Sequence, residues 1–216
     1  PLSIIAVSME EHANGGRVAI LSSPQSKILN LEELKTKEVA IAKNTLIEYV
    51  GDRILSENFI SPDLVKKISV NNIPIRLNLL VEDKLQAAIM REPFITYAQL
   101  RGAHLLADDR NLELCSNVIT FHKSFLKKHP KTVKKFMKAY EKSKTLINRN
   151  PKRLLSSLIK YSKVPKEIQN YYDMPVFPKN KIPTQEQFED INYWLDEKQL
   201  SSHKINYYDL VVDDFI

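Results

Sequence analysis

The chain has 216 residues, enough for one large domain or two small ones, and its 43% apolar and 27% charged content suits a protein with a buried core. One cysteine, Cys115, excludes an internal disulfide and fits a reducing cytoplasm and a large exported protein equally well. The formal charge of +6 invites a nucleic-acid reading, which the distribution of that charge argues against. The excess sits in residues 123–144, which lack arginine, and Val133, Phe136, Met137, Tyr140 and Ile147 form an apolar helix stripe there. Bidentate base readers and free stacking platforms are therefore missing, and the lysines read as a solvated outer face, one that also suits an anionic membrane or cell wall. No apolar run nears the roughly twenty residues of a membrane span.

In chain order, "SIIAV" (3–7) and "RVAILS" (17–22) read as strands around a polar turn at Asn14-Gly15-Gly16. "NLEELKTK" (30–37) predicts a short helix, Asn30 and Glu33 being spaced for a capping exchange. A strand over 38–42 leads into a helix over 45–57, with apolar positions Leu46, Tyr49, Val50, Ile54 and Leu55. After a turn at Ser61-Pro62-Asp63 come a strand at 67–70 and a helix at 74–83 with Ile75, Leu79 and Leu80 facing inward. "LQAAIM" (85–90) reads as a strand, "EPFITYAQLRG" (92–102) as a helix with Pro93 in its first turn and Gly102 as its stop, and 103–108 as a strand. Strands alternating with helices predict βαβ units and a parallel sheet over 38–108. After a last strand at 116–121 the chain is mainly helical, over 123–129, 131–149, 151–162 and 184–198.

Catalytic signatures are missing. The five histidines show no metal-ligand spacing, and there is no Cys-x-x-Cys, Gly-x-Ser-x-Gly, Walker loop or dinucleotide fingerprint. Asp108-Asp109 and Asp213-Asp214 read as solvated pairs or weak cation holders. The reading is therefore non-enzymatic, with no catalytic residue, metal or cofactor assigned.

Four phrases, in order, carry a resemblance: "NLEELKTKEVAIAKNT", "IPIRLNLLVEDKLQAAIMREPFITYAQLRGAHLLADD", "SNVITFHKSFLKKHPKTVKKFMKAYEKSKTLINRNP" and "IPTQEQFEDINYWLDEKQLSSHKINYYDLVVDDFI". Together they resemble the nitrate/sulfonate/taurine and thiamine-precursor group of ABC-transporter solute-binding proteins. The resemblance implies an α/β fold of the type II periplasmic-binding-protein kind, with two lobes and a helical C-terminal part. It places residues 37–110 in lobe two, and 1–36 with 111–216 in lobe one, with crossing strands near 17–23 and 116–121 as hinges. Family members begin with a βαβαβ half of lobe one that this match does not include, so lobe one is expected to be incomplete and the chain prone to dimerise or domain-swap. A fungal pyrimidine synthase of similar fold carries a cysteine-rich motif, which a chain with Cys115 alone does not.

In open α/β sheets ligands sit beyond the carboxyl ends of strands, against helix N-termini. Asn44 and Thr45, after strand 38–42, are either plain helix caps or contacts to an anion. Arg91, after strand 85–90, is either a surface ion-pair partner or a fork for a carboxylate, sulfonate or phosphate. Glu92 either accepts from an amine or ring N–H or caps its own helix. Asn117 and Ser22, on the crossing strands, complete the candidate set, and Trp194 and Tyr193 are read as packing residues. The resulting expectation is an extracytoplasmic solute-binding component, periplasmic or a cell-surface lipoprotein, whose signal lies outside this sequence. It would capture a sulfonate, pyrimidine, flavin or similar small molecule between its lobes and deliver it to an ABC permease, with no nucleic acid as partner. The competing reading is a truncated, dimerising interaction module without a ligand, and a third is a sensor domain fused to something upstream.

Overall fold

The structure is a computed structural model, and it describes residues 1–11, 17–162 and 166–216. The turn expected at Asn14-Gly15-Gly16 lies outside the described residues. The chain forms two compact units, one of residues 1–15, 113–154 and 175–216 and the other of residues 16–112 and 155–174.

The second unit is built on a five-stranded sheet of order β4-β3-β5-β2-β6. Its strands are β2 (Val18–Ser22), β3 (Glu38–Ile41), β4 (Lys66–Ser69), β5 (Ala87–Arg91) and β6 (His104–Asp108). β3 runs parallel to both β4 and β5, while β2 lies between β5 and β6 and antiparallel to both. Every residue of β2 is buried, as a strand covered on both faces must be. Alternation divides its side chains. Ala19 and Leu21, with Ala88 and Met90 of β5, face Leu77 and Leu80 of α2 (Ile73–Val81) and Ile95 and Ala98 of α3 (Phe94–Leu100). Ile89 points to the other face, where α1 (Leu46–Glu57) lies so close that a Cβ at Gly51 would collide with its Cδ1.

Sequence and structure differ at several points. The helix expected over 30–37 is one 3-10 turn, Glu32–Leu34, although Asn30 and Glu33 make the capping exchange. On α2 the buried positions are Arg76, Leu77 and Leu80, whereas Ile75 is 53% exposed and Leu79 half-buried. Asn72 caps this helix through Ile75 N, and that start sets its phase; an arginine occupies the core position where an apolar residue was sought. α3 begins at Phe94, two residues later than expected, after a cis Glu92–Pro93 bond.

The first unit carries an antiparallel ribbon of β1 (Leu2–Glu11) and β7 (Leu114–His122), both longer than their sequence signals. Ile5 and Ala6 of β1 bury against Leu126 of α4 (Lys123–Lys128) and Val133 and Met137 of α5 (Pro130–Arg149). Ile4 packs with Phe188 of α7 (Gln185–Glu197) and Val211, next to the short α8 (Tyr207–Leu210), which no sequence signal marked. Trp194 of α7 is buried, whereas its neighbour Tyr193 is 61% exposed. α6 (Pro151–Ser162) starts at a proline, as expected, and holds a unit boundary between Leu154 and Leu155.

The units divide the chain differently from the expected lobes. Residues 17–36 fall with the five-stranded sheet, where β2 is hydrogen-bonded on both edges. Residues 155–174 join the same unit because Leu155, Ile159, Ile168 and Tyr172 pack on Phe94 and Tyr97 of α3. β2 and β7 each lie wholly within one unit rather than crossing between units.

Two buried cations have opposite accounts. Lys67 of β4 meets Asp52 and, at 3.5 Å, Glu48, both on α1, and all three side chains are at least nine-tenths buried. Arg76 is fully buried, donates from Nη1 to Val70 O, and has no partner at Nε or Nη2 among the described residues. Burial lowers its pKa to about 10, so it stays protonated at neutral pH. Lys67→Met removes the cation that two buried carboxylates share and is expected to cost about 3–5 kcal/mol. Arg76→Met removes a charge that has no counter-ion, and the expected cost is about 1 kcal/mol or less. Denaturant unfolding of both variants checks the contrast; an equal loss would contradict it.

Candidate functional site

β3 and β5 run parallel, so both send their carboxyl ends to one edge of the five-stranded sheet. The registers Val18↔Arg91 and Ala19↔Asp108 bring the start of β2 and the end of β6 to the same edge. Asn44, Thr45, Arg91 and Glu92 therefore stand together along it, joined by Arg17, Asp108 and Arg110, which the sequence reading did not select.

Asn44 adopts a left-handed conformation with φ 58°, which asparagine tolerates, and its side chain is exposed. Thr45 is the N-cap of α1: Oγ1 accepts from Ile47 N at 3.2 Å and donates its proton to Ala42 O at 2.7 Å. That proton is thus engaged by the main chain of the preceding turn. The buried carboxylate of Glu48 accepts from Asn44 N at 2.7 Å, so the start of α1 already carries a negative charge of its own. An anion gains less there than a bare helix end would give it.

The cationic part of the edge lies at β5 and β2. Arg17 donates from Nη1 to Glu92 Oε1 at 3.3 Å and from Nε to Asp108 Oδ2 at 3.0 Å, with Nη2 2.9 Å from the same oxygen. Arg110 reaches Asp108 as well, Nε to Oδ2 at 2.8 Å. Asp108 is thus half of an internal ion pair rather than a solvated acid, and the buried Asp109 accepts from Val18 N at 2.9 Å. The other oxygen of Glu92 accepts from Thr96 N at 3.1 Å and from Thr96 Oγ1 at 2.9 Å, so Glu92 does cap its own helix. Arg91, half-buried, makes no ion pair among the described residues, and its field reaches the phenol of Tyr172 together with that of Glu92. Burial and the charge of Glu92 push the Tyr172 hydroxyl far up, so it stays a neutral donor.

Ser22 is fully buried and gives its proton to Ile28 O at 2.7 Å, bracing the 23–28 loop. Asn117 stands half-buried on β7 in the other unit. Among the described residues no cluster of three His, Cys, Asp or Glu side chains forms a metal site, and no helix is long and apolar enough to cross a membrane.

The chain belongs to the NMT1/THI5-like family, whose model matches residues 3–154. Its fold is that of the type II periplasmic binding proteins. The alkanesulfonate-binding protein SsuA of Xanthomonas axonopodis pv. citri, solved bound to MOPS, is 15% identical and superposes with a TM-score of 0.81 over 98% of this chain and 74% of its own. The periplasmic aliphatic sulphonate binding protein SsuA of Escherichia coli is 16% identical, with a TM-score of 0.80 over 96% and 72%. The desulfurization enzyme DszB, as a point mutant in complex with biphenyl-2-sulfinic acid, shares the fold at 12% identity and a TM-score of 0.72 over 99% and 77%. No curated protein matches the sequence.

The two acids on Arg17 titrate in opposite directions. Burial raises the Glu92 carboxyl above its usual range, and the Thr96 hydrogen bonds and the Arg17 charge offset only part of that. Burial acts on Asp108 in the same sense, but Arg110 and Arg17 outweigh it and hold this carboxyl below its usual range. A raised carboxyl contributes stability at acid pH that is lost as pH rises through its folded-state pKa; a depressed one contributes stability above its unfolded pKa that is lost on acidification. Relative to wild type, Glu92→Gln is therefore expected to fare better at about pH 7 than at about pH 4, and Asp108→Asn worse. Melting temperatures of both variants across that range test the crossing, and a shared slope would refute it.

Proposed function

We propose that this protein is the non-catalytic solute-binding component of an ABC importer, taking a small polar or anionic molecule at the carboxyl edge of its five-stranded sheet. The observation that carries this reading is Arg91: a guanidinium at a strand end, whose charge reaches the neutral Tyr172 phenol and which has no carboxylate partner among the described residues, while Arg17 is neutralised by Glu92 and Asp108. A planar fork of donors in that setting suits a carboxylate or sulfonate. Asn44 adds an exposed amide on the same edge. Membership of the NMT1/THI5-like family and the sulfonate-binding function of structural neighbours support the class of ligand and delivery to a permease outside the cytoplasm. The edge lacks a serine or cysteine nucleophile paired with a histidine among the described residues, and Cys115 is buried on β7, which favours binding over catalysis.

A thermal-shift series with ethanesulfonate, taurine, MOPS, a pyrimidine and riboflavin tests the reading. At about a hundredfold excess over Kd a ligand should add about 2.7 kcal/mol of stability. At least one sulfonate is expected to raise the melting temperature, and Arg91→Gln to abolish that rise while leaving the ligand-free melting temperature within about 2 °C. No response to any of the five would sink the proposal.

A further inference from the structure

The first unit carries a surface that solute binding leaves unused. Seven lysines fall between His122 and Tyr140, across α4 and the first half of α5, with no aspartate or glutamate among them. None of the seven forms an ion pair among the described residues; of their side chains only that of Lys123 has a hydrogen bond there, to the main-chain oxygen of Asp209. Lys131, Lys135 and Lys138 are exposed on the outer side of α5, opposite the buried Val133 and Met137.

Beside these lysines runs a row of rings. His129 lies 4.8 Å from Phe125, Phe125 5.8 Å from Phe121, Phe121 5.5 Å from Phe136, and Phe136 6.2 Å from Tyr140, centroid to centroid. Phe121 and Tyr140 root the row in the core under α4 and α5, while Phe125 is 38% and Phe136 46% exposed. Two phenylalanines on a rigid base therefore each keep more than a third of their surface in water.

The chemistry selects among partners. Protein interfaces are depleted in lysine and enriched in arginine, and this face has seven lysines and no arginine. Nucleic-acid readers use arginine forks and open ring faces, whereas these rings are packed on one another. Seven lysines on the two helices that also carry partly exposed phenylalanines match an anionic bilayer, with headgroup phosphates for the charges and the acyl boundary for the rings. We propose that the α4–α5 face docks the protein on an anionic lipid surface.

Flotation with vesicles of phosphatidylcholine alone, and of phosphatidylcholine with about a third phosphatidylglycerol, tests this at low and at physiological salt. The wild-type chain is expected to float with the anionic vesicles only. Lys131→Glu/Lys135→Glu/Lys138→Glu should weaken this at least about tenfold, and Phe125→Ser/Phe136→Ser by several-fold. A control of identical net charge, Lys27→Glu/Lys37→Glu/Lys204→Glu, changes exposed lysines elsewhere and should float as wild type does. Melting temperatures confirm that each variant is folded. Absence of wild-type flotation, or equal loss in the two triple variants, overturns the proposal, the latter by showing a general charge effect. Equal binding to immobilised polyglutamate, unaffected by the phenylalanine changes, would assign the face to an acidic protein and overturn it as well.

Discussion

The ion pairs of Arg17 with Glu92 and Asp108 depend on one topological fact, the antiparallel course of β2 between two strands that run the other way. Only a strand entering from the carboxyl edge places the residue before it between the last residues of both neighbours. The guanidinium then draws together segments 75 and 91 residues away in the sequence. A partly buried site with two acids and one base would be costly if any member were missing. With both local carboxylates engaged by Arg17, Arg91 is left without an ion pair among the described residues.

The same logic of neutralisation operates at the other end of the edge. Glu48 faces two ways, accepting the Asn44 N–H and pairing with Lys67, and so links the turn after β3 to the edge strand β4. It fixes the left-handed turn at Asn44 while lowering the appeal of the α1 N-terminus for an anion. Backbone positioning and ligand preference are thus set by one carboxylate. Fold and site cannot be altered separately there, and Thr45, which caps α1 with both functions of its hydroxyl, belongs to the same scaffold.

The first unit follows a different plan. Its ribbon of two strands cannot enclose a core, so helices α4, α5 and α7 cover it, and each buries only one stripe. The outer surface of α4 and α5 is left to lysines and to two ring edges. Burial is nearly complete for Val133 and Met137 and only partial for Phe125 and Phe136, whose remaining exposure distinguishes this face from an ordinary solvated one.

Much was legible in the chain itself. Alternating apolar runs and amphipathic stretches gave most elements to within a few residues, because period and capping chemistry are local properties. A rule about strand ends that needs only element order selected Asn44, Thr45, Arg91 and Glu92, and the fold sets all four along one sheet edge. What tertiary structure alone decided was pairing. Nothing local says that "RVAIL" pairs between β5 and β6, although its unbroken apolar run is the mark of a strand buried on both faces. Nothing marks Asp108 as the partner of a residue 91 positions earlier. Ser22, Thr45 and Glu92 each have polar atoms that a solute would want, and only the folded chain shows that Ile28, Ala42 and Thr96 have claimed them. A sequence determines which groups a protein can offer; because a hydrogen bond or ion pair needs two groups within a few ångströms, only the fold determines which remain on offer.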